Sequence, residues 1–158
     1  MGYINKNLSA NEELVYTAKV HWFIFLPPAL LLFLGISFLN SEPLYAGEPS
    51  YIPLIGFILT LVALFKLIGA LITRFTTELG ITTKRVIAKV GLIRRNTVEL
   101  NHSKVESFQV EQSVFGRILG FGTITIQGTG GGKTPIKGID SPLAFRREAQ
   151  EIVDKTGG

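Results

Sequence analysis

Ile52 to Ile72 reads IPLIGFILTLVALFKLIGALI, 21 residues with a single charge at Lys66. A helix rising about 1.5 Å per residue needs around 20 apolar residues to cross the roughly 30 Å hydrocarbon layer of a bilayer, so the stretch is long enough to span one. A buried helix of a soluble protein shows a polar face at a 3.6-residue period, and none can be drawn here. Upstream, Trp22 to Leu39 (WFIFLPPALLLFLGISFL) repeats the pattern over 18 residues without a charge. Together the two blocks predict a transmembrane α-helical hairpin over residues 22–72, with spans at 22–39 and 52–72. A cleaved signal peptide fits poorly, because Glu12 and Glu13 precede the first block and no small-x-small site follows Leu39.

The flanking charges orient the hairpin. Asn40 to Ser50 holds no Lys or Arg, whereas Lys6 and Lys19 precede the first block and Arg74, Lys84 and Arg85 follow the second. The expectation is a multi-pass protein of a bacterial cytoplasmic (inner) membrane with both termini in the cytoplasm. Trp22 and Tyr51 stand at span ends, where aromatic rings favour the interface.

A 46 % share of hydrophobic residues is high for a soluble protein of this size, and nearly all of the excess lies in these two blocks. Residues 1–21 read as a cytoplasmic N-terminal segment and residues 73–158 as a water-soluble domain. That domain carries 13 Lys and Arg against eight acids, a balance suited to an anionic membrane surface or an acidic partner. The chain has no cysteine, which excludes disulfides, thiolate metal sites and cysteine nucleophiles, and only two histidines, which argues against a zinc site.

From Phe75 onward continuous apolar sequence gives way to short alternating runs rich in β-branched residues. Strands are predicted over 76–82, 85–90, 93–100, 105–111, 122–127 and 134–139, a spacing that indicates a β-sandwich or partly open barrel. Ser141 and Pro142 then read as an N-cap with proline at the first helical position. Phe145, Ala149, Ile152 and Val153 give the apolar stripe of one C-terminal α-helix that caps an open end of the barrel.

Strands closed by a single C-terminal helix are the PH plan, and several stretches resemble one family. They are Glu78 to Arg85 (ELGITTKR), Val98 to Leu100, Val105 to Phe108, Val110 to Ser113, Gly116 to Gly122 (GRILGFG) and Gly138 to Pro142. Ahead of the first block, Asn11 to Leu14 and His21-Trp22 also match. The chain resembles the bacterial PH-domain family of two-span membrane proteins, the YdbS-like type. The resemblance implies a PH-like β-sandwich or barrel behind a membrane hairpin, and it implies no defined activity.

Several residues invite sharper readings. Lys84 and Arg85 fall where the first two predicted strands turn, with Lys89 further along and Arg74 at the exit from the second span; these four are the candidate lipid-headgroup contacts. Each basic residue near an anionic leaflet contributes about 1 kcal/mol, so proximity alone could orient the domain. Val114, Phe115, Ile118 and Leu119 crowd around Arg117. They read equally as a partner-binding or membrane-dipping surface and as one helical turn plugging the barrel. Gly128 to Thr134 (GTGGGKT) misses phosphate-loop spacing, because position 127 is Gln, and reads as a hairpin loop. Arg94-Arg95 and Arg146-Arg147 read as solvated faces, not nucleic-acid contacts. His102 beside Ser103 has no carboxylate placed to orient it, and no catalytic constellation can be assembled.

The expected function is a non-enzymatic, membrane-anchored PH-like module that binds anionic lipid, a protein partner or a second copy of itself, without cofactor or metal. The alternative is a small transport or channel subunit acting as an oligomer, built on Pro27, Pro28 and Lys66.

Overall fold

The computed structural model describes residues 2–42, 51–92 and 95–156. The chain divides into two compact units, one of residues 22–72 and the other of residues 1–21 together with 73–158.

In the first unit a 3-10 turn, Trp22–Phe25, leads into α2 (Leu26–Leu39), and α3 begins at Ile52 and continues to Thr76. Trp22–Leu39, the 3-10 turn and α2 taken together, and α3 are each long and apolar enough to cross a membrane by length and composition. Pro27 and Pro28 lie in the first turn of α2, where a missing backbone N–H costs nothing, so they open the helix and do not break it. Among the described residues, those this unit buries are small: Pro28 and Gly35 on α2, and Gly56, Ala63 and Ala70 on α3, each set spaced by seven. A Cβ on Gly35 would stand 2.6 Å from Thr60 Oγ1, and one on Gly56 would stand 2.8 Å from the Gly35 carbonyl oxygen. The two backbones therefore touch, which only small residues allow. The large side chains point outward, with Phe33 73 % and Phe65 75 % exposed. Of the Asn40 to Ser50 connection, residues 43–50 lie outside the described residues.

The second unit is PH-like. A four-stranded antiparallel sheet runs in the order β1 (Leu14–Ala18), β2 (Glu78–Thr82), β3 (Arg85–Val90), β4 (Asn96–Asn101). A three-stranded antiparallel sheet follows as β5 (Val105–Glu111), β6 (Phe121–Gly128) and β7 (Lys133–Asp140). Between β5 and β6 stands a six-residue helix, α4 (Val114–Leu119), and α5 (Pro142–Thr156) closes the chain. The predicted strand at 76–82 starts later than expected because α3 continues to Thr76, where the Thr77 N–H still donates to the Thr73 carbonyl at 3.0 Å. The predicted strand at 93–100 is observed as Asn96–Asn101; Ile93 and Arg94 lie outside the described residues.

Six strands are predicted from Thr76 onward, and the seventh comes from the other side of the apolar helices. β1 pairs antiparallel with β2, with Ala18 facing Leu79 and Thr17 facing Gly80. The apolar pair of helices is thus an insertion between two neighbouring strands of one sheet. Past β1 the chain crosses to the second sheet: Val20 bridges Ile139, the Lys19 carbonyl accepts from Asp140 N–H at 2.9 Å, and His21 N–H donates to the Gly138 carbonyl at 2.7 Å. Residues ahead of the first apolar helix therefore join the edge of one sheet to the edge of the other. A short helix, α1 (Tyr3–Lys6), precedes β1 and buries Ile4.

The alternating pattern of β6 places Ile124 and Ile126 inside with Ile81, Ile87, Ile136 and Ile139. α5 lays Phe145 and Ala149, both fully buried, against this core. The Phe145 ring packs edge-on to Tyr16 and Phe108 at centroid distances of 6.0 and 6.2 Å. Burying one such side chain contributes about 1.5–3 kcal/mol.

Candidate lipid and partner surfaces

The turn from β2 to β3 is built from Thr82 to Arg85. Thr82 Oγ1 accepts from the N–H groups of Lys84 (3.2 Å) and Arg85 (3.0 Å), which forms the turn, and donates to Glu12 Oε1 at 2.7 Å. Glu12 arrives from the segment ahead of β1, and its side chain is wholly buried. The Arg85 guanidinium meets it with two parallel bonds, Nε to Oε1 and Nη2 to Oε2, each 2.9 Å. Nη1 reaches Glu99 Oε2 at 2.6 Å, and Nη2 also donates to the Asn7 carbonyl at 2.9 Å. Burial pushes the Glu12 carboxyl upward, but the bonds from Arg85, the Ser9 N–H and Thr82 outweigh it and hold the group at about 2. On the other side of the turn His102 is buried and hydrogen-bonded to the backbone of Arg85 and Thr82; desolvation lowers its pKa.

Of the four candidate headgroup residues, Arg85 is thus a brace inside the domain. Lys84 Nζ donates to the Ala10 carbonyl at 2.8 Å. Lys89 Nζ lies 3.8 Å from Glu78 Oε1 and 5.0 Å from the centre of the Tyr3 ring, while Glu78 accepts from the N–H groups of Tyr3 (2.8 Å) and Ile4 (3.1 Å). The four are not gathered into one cluster. Arg74 stands before β2 and Lys84 after it, separated by a five-residue strand of about 17 Å. The turn is also at the far end of β2 from the place where the chain arrives from α3. Arg74 instead borders a cleft of about 460 Å³ whose lining includes Lys19, Phe75, Thr77, Ile4 and Glu78.

The second candidate surface is α4. Ser113 Oγ accepts from Gly116 N–H at 3.1 Å and caps its start, and Gly120, at φ +81°, ends it in the left-handed region that glycine enters at no steric cost. Gln112 Nε2 donates to the carbonyls of Gly116 (3.2 Å) and Phe121 (2.9 Å), tying helix to strand. Gly116 is buried so close to β6 that a Cβ would stand 2.6 Å from the Phe121 carbonyl oxygen. The helix buries that glycine and turns its larger side chains out: Val114, Phe115 and Ile118 are 73, 69 and 74 % exposed, and Leu119 and Arg117 are exposed as well. The barrel-plug reading of this segment is corrected, since the barrel is filled by Phe145 and its neighbours.

Two antiparallel sheets of four and three strands with a helix packed on them from the C-terminal side are the architecture of a PH domain, and the family model described as the bacterial PH domain matches residues 24–155. The chain belongs to the bacterial PH-domain family. No curated protein and no solved structure matches it. In this bacterial PH domain the strand that joins the two sheets, with the buried Glu12, lies ahead of the matched range.

The remaining candidates fall on the surface of the bacterial PH domain or within its turns. The glycine-rich run 128–134 is the β6–β7 hairpin, where Gly128 N–H donates to the Gly132 carbonyl at 3.1 Å. Arg95 and Arg147 lie in the second unit, Arg147 exposed with Glu148 3.7 Å away; Arg94 lies outside the described residues. Lys66 is exposed on α3.

Proposed function

We propose that the chain is a non-enzymatic, membrane-anchored bacterial PH module: α2 and α3 cross the cytoplasmic membrane as a hairpin, and the PH-like unit stands on the cytoplasmic face against the anionic leaflet. The observation that carries this reading is the outward apolar surface of the two helices. Only 11 % and 17 % of the residues in their most apolar windows are buried, whereas a soluble core helix would bury most of them. An aqueous home for Phe33 and Phe65 would leave a patch far larger than soluble proteins tolerate.

Strand pairing supports the same topology. β1 precedes α2, β2 follows α3, and the two are hydrogen-bonded neighbours, so a membrane crossed by one helix is recrossed by the other. The PH-like unit holds 15 Lys and Arg against ten acids, and the 43–50 stretch of the connection has none of either cation, which favours the cytoplasm for the domain. With its first hairpin braced internally, the domain meets the leaflet through the end at which the chain passes into the helices, where Lys19 and Arg74 stand.

The cysteine-free chain allows a direct test in intact bacterial cells. Glu42→Cys is expected to react with a membrane-impermeant maleimide from outside, and Thr129→Cys only after permeabilisation, with the protein retained in carbonate-washed membranes. Release by carbonate, or equal labelling at both positions, overturns the proposal.

A further inference from the structure

We infer that α4 is a second contact with the bilayer, in which Val114, Phe115 and Ile118 insert among the lipid headgroups beside the point where the chain passes into its first apolar helix. The inference rests on the membrane-anchored reading and extends it to a named surface.

The side chains come first. Three large apolar residues on one short helix are each more than two-thirds exposed, while the glycine between them is the residue the helix buries. Grouped exposed apolar side chains mark a contact surface. The surface is also firmly built, through the Ser113 cap, the two bonds from Gln112 and the close approach of Gly116 to β6. These residues have no second task in the domain core.

Location decides the occupant. Phe121, two residues beyond α4, has its ring 5.4 Å from the ring of His21. His21 is itself pinned by its N–H to the Gly138 carbonyl, and the next residue, Trp22, begins the apolar unit. A six-residue helix is about 9 Å long, so every residue of α4 stays near that junction. A chain that passes into a bilayer at Trp22 brings the interface to the same place. Arg117 is exposed on the helix, and no acid occurs between Ser113 and Gly122, so the charge also matches an anionic leaflet.

The test places a single spin label on the full-length, cysteine-free chain in vesicles of phosphatidylethanolamine and phosphatidylglycerol. Labels at Phe115→Cys and Ile118→Cys are compared with Leu61→Cys on α3 and Thr129→Cys in the β6–β7 hairpin. Collision with oxygen relative to a water-soluble nickel chelate is expected to be several-fold higher at 115 and 118 than at 129, approaching the value at 61. Water-like values at 115 and 118 with a lipid-like value at 61 overturn the inference and leave the anchored reading standing. A water-like value at 61 overturns both. Protection at 115 and 118 accompanied by spin–spin broadening that disappears on dilution with unlabelled protein assigns the surface to a second copy and also overturns it.

Discussion

Glu12 and Arg85 stand on opposite sides of the two apolar helices in the chain, yet they meet through two parallel hydrogen bonds of 2.9 Å, with the carboxylate fully buried. The pair fastens the N-terminal segment to the first hairpin, and Glu99 and Thr82 complete its bonding.

Removing one member of a buried pair leaves the other charged and unsatisfied. Glu12→Ala is expected to destabilise the PH-like unit by about 3 kcal/mol, and Arg85→Ala by a similar amount, with the double variant much less than additive. Chemical denaturation of the four proteins of this cycle measures the coupling.

The same carboxyl makes stability depend on pH. Its folded value of about 2 lies below the ordinary 4.5, so the stabilisation is complete above the ordinary value and is lost as pH falls from there toward 2. Thermal melts of the wild type are expected to fall over that window, and melts of Glu12→Gln to fall less. Identical pH profiles would remove Glu12 from the account.

His102 acts in a higher window. Its folded pKa is lowered below the ordinary 6.5 by burial, so the neutral ring is the stabilised form, and stability declines as pH drops below 6.5. His102→Asn is expected to lose the decline that sets in below 6.5 while retaining the acid component due to Glu12.

Residues 73–158 alone lack β1, Glu12 and the Val20–Ile139 bridge, and are expected to remain without fixed tertiary structure. Joining residues 1–21 to 77–158 through a short glycine-serine linker restores all three and is expected to yield a folded soluble domain. Amide proton dispersion in nuclear magnetic resonance spectra of the two fragments decides the matter.

Between the apolar helices the close approach of Gly35 and Gly56 predicts a sharp positional effect. Gly56→Leu and Gly35→Leu are expected to lower the melting temperature of the detergent-solubilised chain markedly. Gly69→Leu, where an added Cβ meets nothing within 4 Å, is expected to have little effect.

The two apolar helices were legible from length and missing charge, and β2 to β7 from short-period alternation, because both signals are local. β1 was not: Leu14 to Ala18 is five residues long, and its partner lies beyond the whole hairpin. The role of Arg85 was hidden for the same reason, since a basic residue in a turn reads as surface until its carboxylate is found. A trace was present, because Glu12 and Arg85 both belong to stretches that carry the family resemblance. The outward set of α4 is equally a matter of tertiary structure, as sequence spacing cannot tell an exposed apolar turn from a buried one.

The interruption of one sheet by two helices also orders events during synthesis. β1 leaves the ribosome first and waits, unpaired, while the helices are made; only when β2 emerges can its ladder form. In the proposed topology, a chain in which only one of the two helices crosses would leave β1 and β2 on opposite sides of the bilayer, so domain closure serves as a proofreading step on insertion, and chains that fail it expose an unpaired edge to proteolysis.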